Sequence, residues 1–329
     1  MTGVGASHSG AQPLSRSAPM GAQRLSLTVV ILTLNEALHI ERCLRNVLPL
    51  AERVIVVDSF STDRTVEIAR GLGADVHQRA FRNQADQFQW ALDTIAISSD
   101  WVMRLDADEY LEAPLIEEMR ARLPDLPAGV TGVRLKRKVI FRDAWIRWGG
   151  YYPTSLLRLW RNGAARMEQR WMDEHLILLT GDAIDFDKDF VDHNLNDITW
   201  WTEKHNRFAT RQMVDFISLE QPLFPVDGRL AQSMTHQAGL KRFLRNKVFA
   251  RAPLYLRCVL YFLLRYFGRL GFLDGRQGFV FHFLQGFWNW MLVDAKIDEA
   301  RMFIRQRGLE AFKAHLRTRH GIDVEAGPQ

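Results

Sequence analysis

The chain is poor in cysteine, in glycine-rich phosphate loops and in long unbroken apolar runs, and each shortage removes a class of function. Cys43 and Cys258 are the only cysteines in 329 residues. They lack metal-ligand spacing, so a thiolate metal site is excluded. Two lone thiols suit a reducing compartment, and each reads as a small apolar packing residue. No turn carries Gly-x-Gly-x-x-Gly or a Walker-type loop, which argues against a dinucleotide enzyme and a P-loop ATPase. The first 25 residues have no apolar h-region and read as a disordered leader over 1–24, rich in Gly, Ala, Ser and Gln. The two most apolar stretches, 251–273 and 279–293, are both interrupted, whereas a membrane-spanning helix needs roughly 20 uninterrupted apolar residues.

What remains is the composition of a globular protein, 47% hydrophobic and 25% charged, with a net charge of +5. That charge is concentrated. Nine Lys or Arg and the single acid Asp274 lie between Lys241 and Arg276, leaving the rest of the chain slightly acidic. From Leu25 apolar strands and helical spacings alternate: strands over 25–34, 54–57, 74–78 and 101–105, helices over 36–48, about 62–72 and 83–97. Ser61 or Thr62 is the expected cap of the second helix, and Asp63 an acid at its start. Alternation at this spacing predicts an α/β domain with a mainly parallel sheet. Shorter strands follow at 132–141, 155–160 and 166–171, then a long helix at 198–218.

In such sheets the ligand sits beyond the carboxyl ends of the strands. Asn35-Glu36, Asp58 and Asp106-Ala107-Asp108 all stand at those ends. Two carboxylates leaving one strand are suited to a hard divalent cation that keeps positions open for phosphate oxygens. An Asp-x-Asp alone is more often a solvated turn. Its place after the apolar strand Trp101 to Leu105 is what gives it weight.

Three segments in order, Val30 to Glu36 (VILTLNE), Val56 to Asp63 (VVDSFSTD) and Trp101 to Glu109 (WVMRLDADE), resemble the family 2 glycosyltransferases of the GT-A fold. The likeness runs over about 25–300 and is greatest to the lipopolysaccharide-core glucosyltransferase-like branch. With the change to helical pattern after Asp197, the chain divides into a catalytic domain over 25–197, a helical region over 198–315 and a tail over 316–329. The likeness implies an inverting transfer from a nucleotide-sugar donor, UDP-linked, with Mg²⁺ or Mn²⁺ as cofactor. By the resemblance Thr33, Glu36, Asp58 and Asp106 bind the donor, while Asp108, Asp106 and His193 hold the metal. Arg158, in the run Leu156 to Arg161, is read as steadying the donor diphosphate or an acceptor phosphate, with a surface ion pair as its other use. The base is Glu174 or Asp173, and His193 is either a ligand or a structural histidine. Gln87-Phe88-Gln89 departs from the family's Gln-x-Asn. A nucleotide-sugar pyrophosphorylase would need a Gly-rich loop where this chain has Leu34-Asn35-Glu36-Ala37. A non-catalytic assembly module that keeps the fold is the alternative, and the presence of all the expected acids counts against it.

Around a helix, Arg251, Arg257, Arg265 and Arg269 fall within about 120°, with Leu, Tyr, Phe and Val elsewhere. This pattern predicts a basic amphipathic helix lying in an anionic membrane interface, with a lipid-linked or envelope-glycan acceptor. The implied location is the cytoplasmic face of a bacterial inner membrane. Packing on the catalytic domain or in a homo-oligomer is the other use for these faces. The long Leu/Phe faces do not suit nucleic acid.

Overall fold

The computed structural model describes residues 24–168, 176–221, 223 and 252–324. Strand β1 (Leu25–Thr33) is β-branched and apolar, and both of its faces are buried. Val29 and Ile31 pack in one cluster with Leu44 and Val47, Val30 in another with Phe88 and Ala91. Each such side chain withdrawn from water contributes roughly 1.5–3 kcal/mol, which fixes β1 at the centre of the sheet. It pairs in parallel with β2 (Ala51–Asp58) and with β4 (Trp101–Asp106); β3 (Asp75–Gln78) extends the sheet beyond β2.

Helices α1 (Ile40–Val47), α2 (Thr65–Gly71) and α3 (Gln84–Thr94) connect these strands. Helix α1 starts four residues later than its apolar spacing predicts. Asn35 adopts a positive φ of 57°, and the amides of His39 and Ile40 both donate to Glu36 O, closing a turn first. Neither Ser61 nor Thr62 caps α2. Asp63 accepts from the Thr65 amide instead, and Asn83 caps α3 by accepting from Asp86 N.

Among the described residues the remaining strands are β5 (Glu109–Leu111), β6 (Val130–Phe141), β7 (Ala144–Ile146), β8 (Thr154–Arg161), β9 (Ala165–Met167), β10 (Leu176–Leu178) and β11 (Asp182–His193). The main sheet runs β3-β2-β1-β4-β8-β6-β11-β5, with β7 on β6, while β9 and β10 form a separate pair. Strand β8 is antiparallel to both β4 and β6, and β11 is parallel to β6. Six of the nine strands therefore point the same way, and the expected mainly parallel α/β sheet is present. Helix α4 (Ala113–Arg122), opened by Pro114 near its start, buries Leu115 and Met119 against it.

Helix α5 (Ile198–Ser218) spans the predicted residues and is capped by Asp197, which accepts from Trp200 N. Among the described residues four more helices follow: α6 (Leu256–Leu263), drawn out by a π-turn over Leu264–Gly268; α7 (Gly275–Phe283), continued by a π-turn over Leu284–Trp288; α8 (Asn289–Arg307); and α9 (Leu309–His320). A 3₁₀ turn, Gly271–Asp274, joins α6 to α7. Helix α9 runs past 315 to His320. Val214 and Ile217 of α5, Val293 and Ile297 of α8 and Phe312 of α9 share one core.

The expected basic face of α6 is reversed. Arg257 and Arg265 are 3% and 6% exposed, while Leu260, Leu264 and Phe267 are 55%, 53% and 57% exposed. Partners inside the fold explain the inversion. Arg257 is clamped by the fully buried Asp294, and Arg265 Nε donates to Gly149 O at 3.0 Å with its guanidinium over the Tyr151 ring. A buried charge is tolerated only when its donors are satisfied: a carboxylate meets Arg257, and the Gly149 carbonyl, the Tyr261 hydroxyl and the Tyr151 ring meet Arg265. Arg269 is exposed, and Arg251 lies outside the described residues. Gly149 is required at this junction: its φ is +67°, and a Cβ there would meet His282 Cε1 at 2.2 Å. Among the described residues no helix is long and apolar enough to cross a membrane.

Candidate active site

Parallel register sets the carboxyl ends of three strands abreast, Thr33 opposite Asp58 and Leu32 opposite Asp106. Beyond them lies a cavity of about 860 Å³, walled by Glu36, Asp106, Asp108, Asp192 and His193 on the sheet side. Trp200, Trp201, Lys204 and Phe208 of α5 close the other side, with Phe281 and Gln285 from the helix that starts at Gly275. Of the residues predicted for the site, Glu36, Asp106, Asp108 and His193 meet here. Thr33, Asp58 and Arg158 do not line the cavity. Asp173 and Glu174 lie outside the described residues.

Asp106 is 31% exposed at the cavity floor. Burial opposes its ionisation, but Arg104, Arg158 and Lys204 outweigh that and hold the carboxyl at about 2. Beneath it, Arg158 donates to Glu109 at 2.6 Å and stands 3.6 Å from Asp106, with its guanidinium over Phe190. Burial drives Glu109 well above the ordinary carboxylate range. Arg158 opposes the shift, and Asp106, Asp192 and Asp108 add to it. Glu109 also accepts from the Asp106 amide at 2.9 Å. Arg158 is thus a buried brace for two acids, set behind the cavity wall where a donor-binding role had been expected.

Asp108 accepts from Asn194 Nδ2 at 2.9 Å. Its turn is pinned to the end of β11 by Arg42, which donates to Asp108 O at 2.9 Å and to His193 O at 2.6 Å, and by the His193 amide. His193 faces Arg42 at 3.4 Å and Asp143 at 3.6 Å, and burial followed by Arg42 lowers its pKa. Glu36 contacts His39 Nδ1 at 2.6 Å, while His39 Nε2 accepts from the Leu195 amide. That amide places the His39 proton on Nδ1, so the imidazole donates to Glu36. Asp58 is fully buried and accepts from Thr33, the Ser61 amide and hydroxyl, and Gln78. Four donors fill a carboxylate's capacity, so Asp58 shapes the loop 59–61 from behind.

The donor set suits a hard divalent cation. Among the described residues no three His, Cys, Asp or Glu form a metal cage. A Mg²⁺-type ion needs none, since it is bound by one or two carboxylates plus water and substrate phosphates. Asp106, ionised and open to the cavity, and Asp108 match that requirement. His193 also lines the cavity, with Arg42 at its Nδ1 and Asp143 facing its Nε2.

Residues 28–191 match the family model for glycosyl transferase family 2. This segment is a family 2 glycosyltransferase domain. An uncharacterized glycosyltransferase of Rickettsia bellii is 43% identical over 93 residues, covering 28% of this chain and 31% of that protein. The lipopolysaccharide core biosynthesis glycosyltransferase LpsC of Rhizobium meliloti is 30% identical over 158 residues, 44% of this chain and 54% of LpsC. The matches thus span between about a third and a half of these two relatives' lengths. A mannosyltransferase of Pyrobaculum calidifontis, solved with GDP-Man and Mn²⁺, is 16% identical with a TM-score of 0.45, over 88% of this chain and 89% of its own. That superposition is too loose to transfer a donor or a metal.

Several residues of the family 2 domain's cavity were missed in the sequence. Asp192 lies 3.6 Å from Arg137, and burial raises its pKa, with Asp108 adding to the effect. Strand β11 was not predicted at all, although Ile184, Phe186 and Phe190 alternate with charged residues along it. Trp200 and Lys204 sit on the correctly predicted α5, but only the fold shows that its first two turns face the acids.

Proposed function

We propose that the chain transfers a sugar, with inversion, from a nucleoside-diphosphate donor, UDP-linked, to a hydroxyl of a lipid-linked or envelope glycan. One observation carries this reading: Asp106 and Asp108 face one cavity at the end of the central parallel strands of a family 2 domain. The name of LpsC supports an envelope glycan as the acceptor class. Asp106 and Asp108 would hold Mg²⁺ or Mn²⁺, which would supply Lewis-acid stabilisation of the leaving diphosphate.

The chain's own groups do the remaining work. Arg158 and Glu109 hold Asp106 in place, and Arg42 with Asn194 holds Asp108. Glu36, oriented by His39, faces the nucleoside side, with the Thr33–Asp58 pair supporting the loop beside it. Trp200 and Trp201 offer apolar faces to a sugar ring, and Lys204 adds positive charge near the diphosphate. Glu174, or Asp173 beside it, takes the proton from the acceptor hydroxyl. The place of action is the cytoplasmic face of the inner membrane.

Hydrolysis of a UDP-hexose in Mn²⁺ tests the reading. Asp108→Ala and removal of Mn²⁺ by chelation should each lower the rate about 100-fold or more. Undiminished hydrolysis by Asp108→Ala would refute the metal assignment. Absence of any donor binding by the wild type would favour a non-catalytic assembly role.

A further inference from the structure

The helix that starts at Gly275 has two working faces. Phe281, buried, and Gln285 line the cavity, whereas Phe279 and Phe283 are 48% and 39% exposed. At 100° per residue Phe279 and Phe283 stand about 40° apart, with Phe281 about 200° round from Phe279. Exposed Leu260 on α6, Leu264 and Phe267 in the π-turn that continues it and Leu273 in the connecting turn belong to the same outward side. Ring contacts of Tyr266 with Phe267 and Phe279, and of Phe262 with Phe283, join the two segments, and an exposed apolar surface rimmed by polar residues marks an interaction site.

Its rim indicates what covers it. Arg147, Trp148, Arg269 and Arg276 are exposed around the helical hairpin that residues 256–283 form, and Gly149 N donates to Arg269 O, tying the Arg147–Trp148 loop to it. The hairpin's one acid, Asp274, is turned inward, where it accepts from the amides of Arg147 and Trp148 and faces His282. An apolar centre bordered by Arg and Trp, with no exposed carboxylate, is complementary to anionic headgroups over acyl chains. A second copy placed on the same face would bring two cationic rims together with no acid between them.

We propose that the outer face of the 256–283 hairpin seats in the headgroup layer of an anionic bilayer, with apolar side chains rather than a basic face making the main contact. The reaction cavity then lies one helix diameter, about 10 Å, behind the membrane contact. The acceptor sugar is accordingly carried on a lipid whose polar linker has that reach. This part rests on the glycosyltransferase reading; the docking itself does not.

Co-sedimentation of the full chain with phosphatidylcholine vesicles, with and without phosphatidylglycerol, tests it. Leu264→Glu with Phe267→Glu should lower the bound-to-free ratio about tenfold or more on both vesicle types. The milder pair Leu260→Gln and Leu273→Gln should act in the same direction. Arg269→Glu with Arg276→Glu should erase only the preference for phosphatidylglycerol. UDP-hexose hydrolysis in vesicle-free solution should be unchanged in all three, which shows that they fold. Wild-type protein left in the supernatant with both vesicle types overturns the proposal. So does undiminished binding by both apolar-face variants, including the case in which they change only self-association. Vesicle binding without hydrolysis would sink the enzymatic reading and leave the docking standing.

Discussion

Removing Arg158 should show that the acids of the cavity stand on a buried ion pair. The side chains of Arg158 and Glu109 are 6% and 2% exposed and meet at 2.6 Å. Breaking such a pair by deleting one member costs about 3–5 kcal/mol, because the other charge is left in a poorly solvated place. Glu109 has an escape: burial already favours its protonated form, so Arg158→Met should fall near the lower end, about 3 kcal/mol. Glu109→Gln keeps an oxygen for the Asp106 amide but leaves Arg158 facing only Asp106 at 3.6 Å, a loss of similar size. If the two residues act as one unit, the double variant should be more stable than the sum of the singles predicts by at least about 2 kcal/mol. Urea denaturation of the four proteins measures this directly. Arg158→Lys, which keeps the charge without the planar fork, should fall between wild type and Arg158→Met. Additive losses would refute the brace. So would an Arg158→Met variant of full stability that has lost only donor affinity, because that pattern belongs to a residue touching the diphosphate.

Two further outcomes follow from groups away from the cavity floor. Burial holds His205, stacked on Trp201, at about 4 against an ordinary 6.5. The unfolded chain therefore takes up a proton that the folded chain refuses, and stability should fall by up to about 3 kcal/mol between pH 6.5 and 4. Replacing His205 with Phe should remove that share of the slope in acid-titrated melts, and an unchanged slope would refute it. Asp294→Asn should cost about 3–5 kcal/mol by stranding Arg257, whereas Arg257→Met with Asp294→Leu should recover most of the loss. A full-stability single variant in calorimetry would restore the picture of Arg257 as a surface charge.

The strands and helices over 25–106 were legible because apolar periodicity and strand-end acids are local signals. The second half of the sheet was less so. Strand β11 carries five aspartates between Asp182 and His193, and polarity concealed its alternation. Helix α4 went unread although Leu115, Met119 and Leu123 recur at four-residue spacing. The family resemblance pointed to Asp106, Asp108, Glu36 and His193, and all four line one cavity. It could not show that Arg158 stands behind the wall, because a strand's pattern does not reveal which charges lie beneath it.

The order of apolar strands, the acids at their ends and the three family segments were determined by sequence alone, since each depends on residues near one another in the chain. Tertiary structure decided which charges face water. Arg257 reads as a membrane-facing cation until Asp294, on a helix 37 residues away, supplies the carboxylate that lets it be buried. Once Arg257 and Arg265 turn inward, the leucines and phenylalanines of the same helix must face outward. The apolar surface exists because distant partners claimed the arginines.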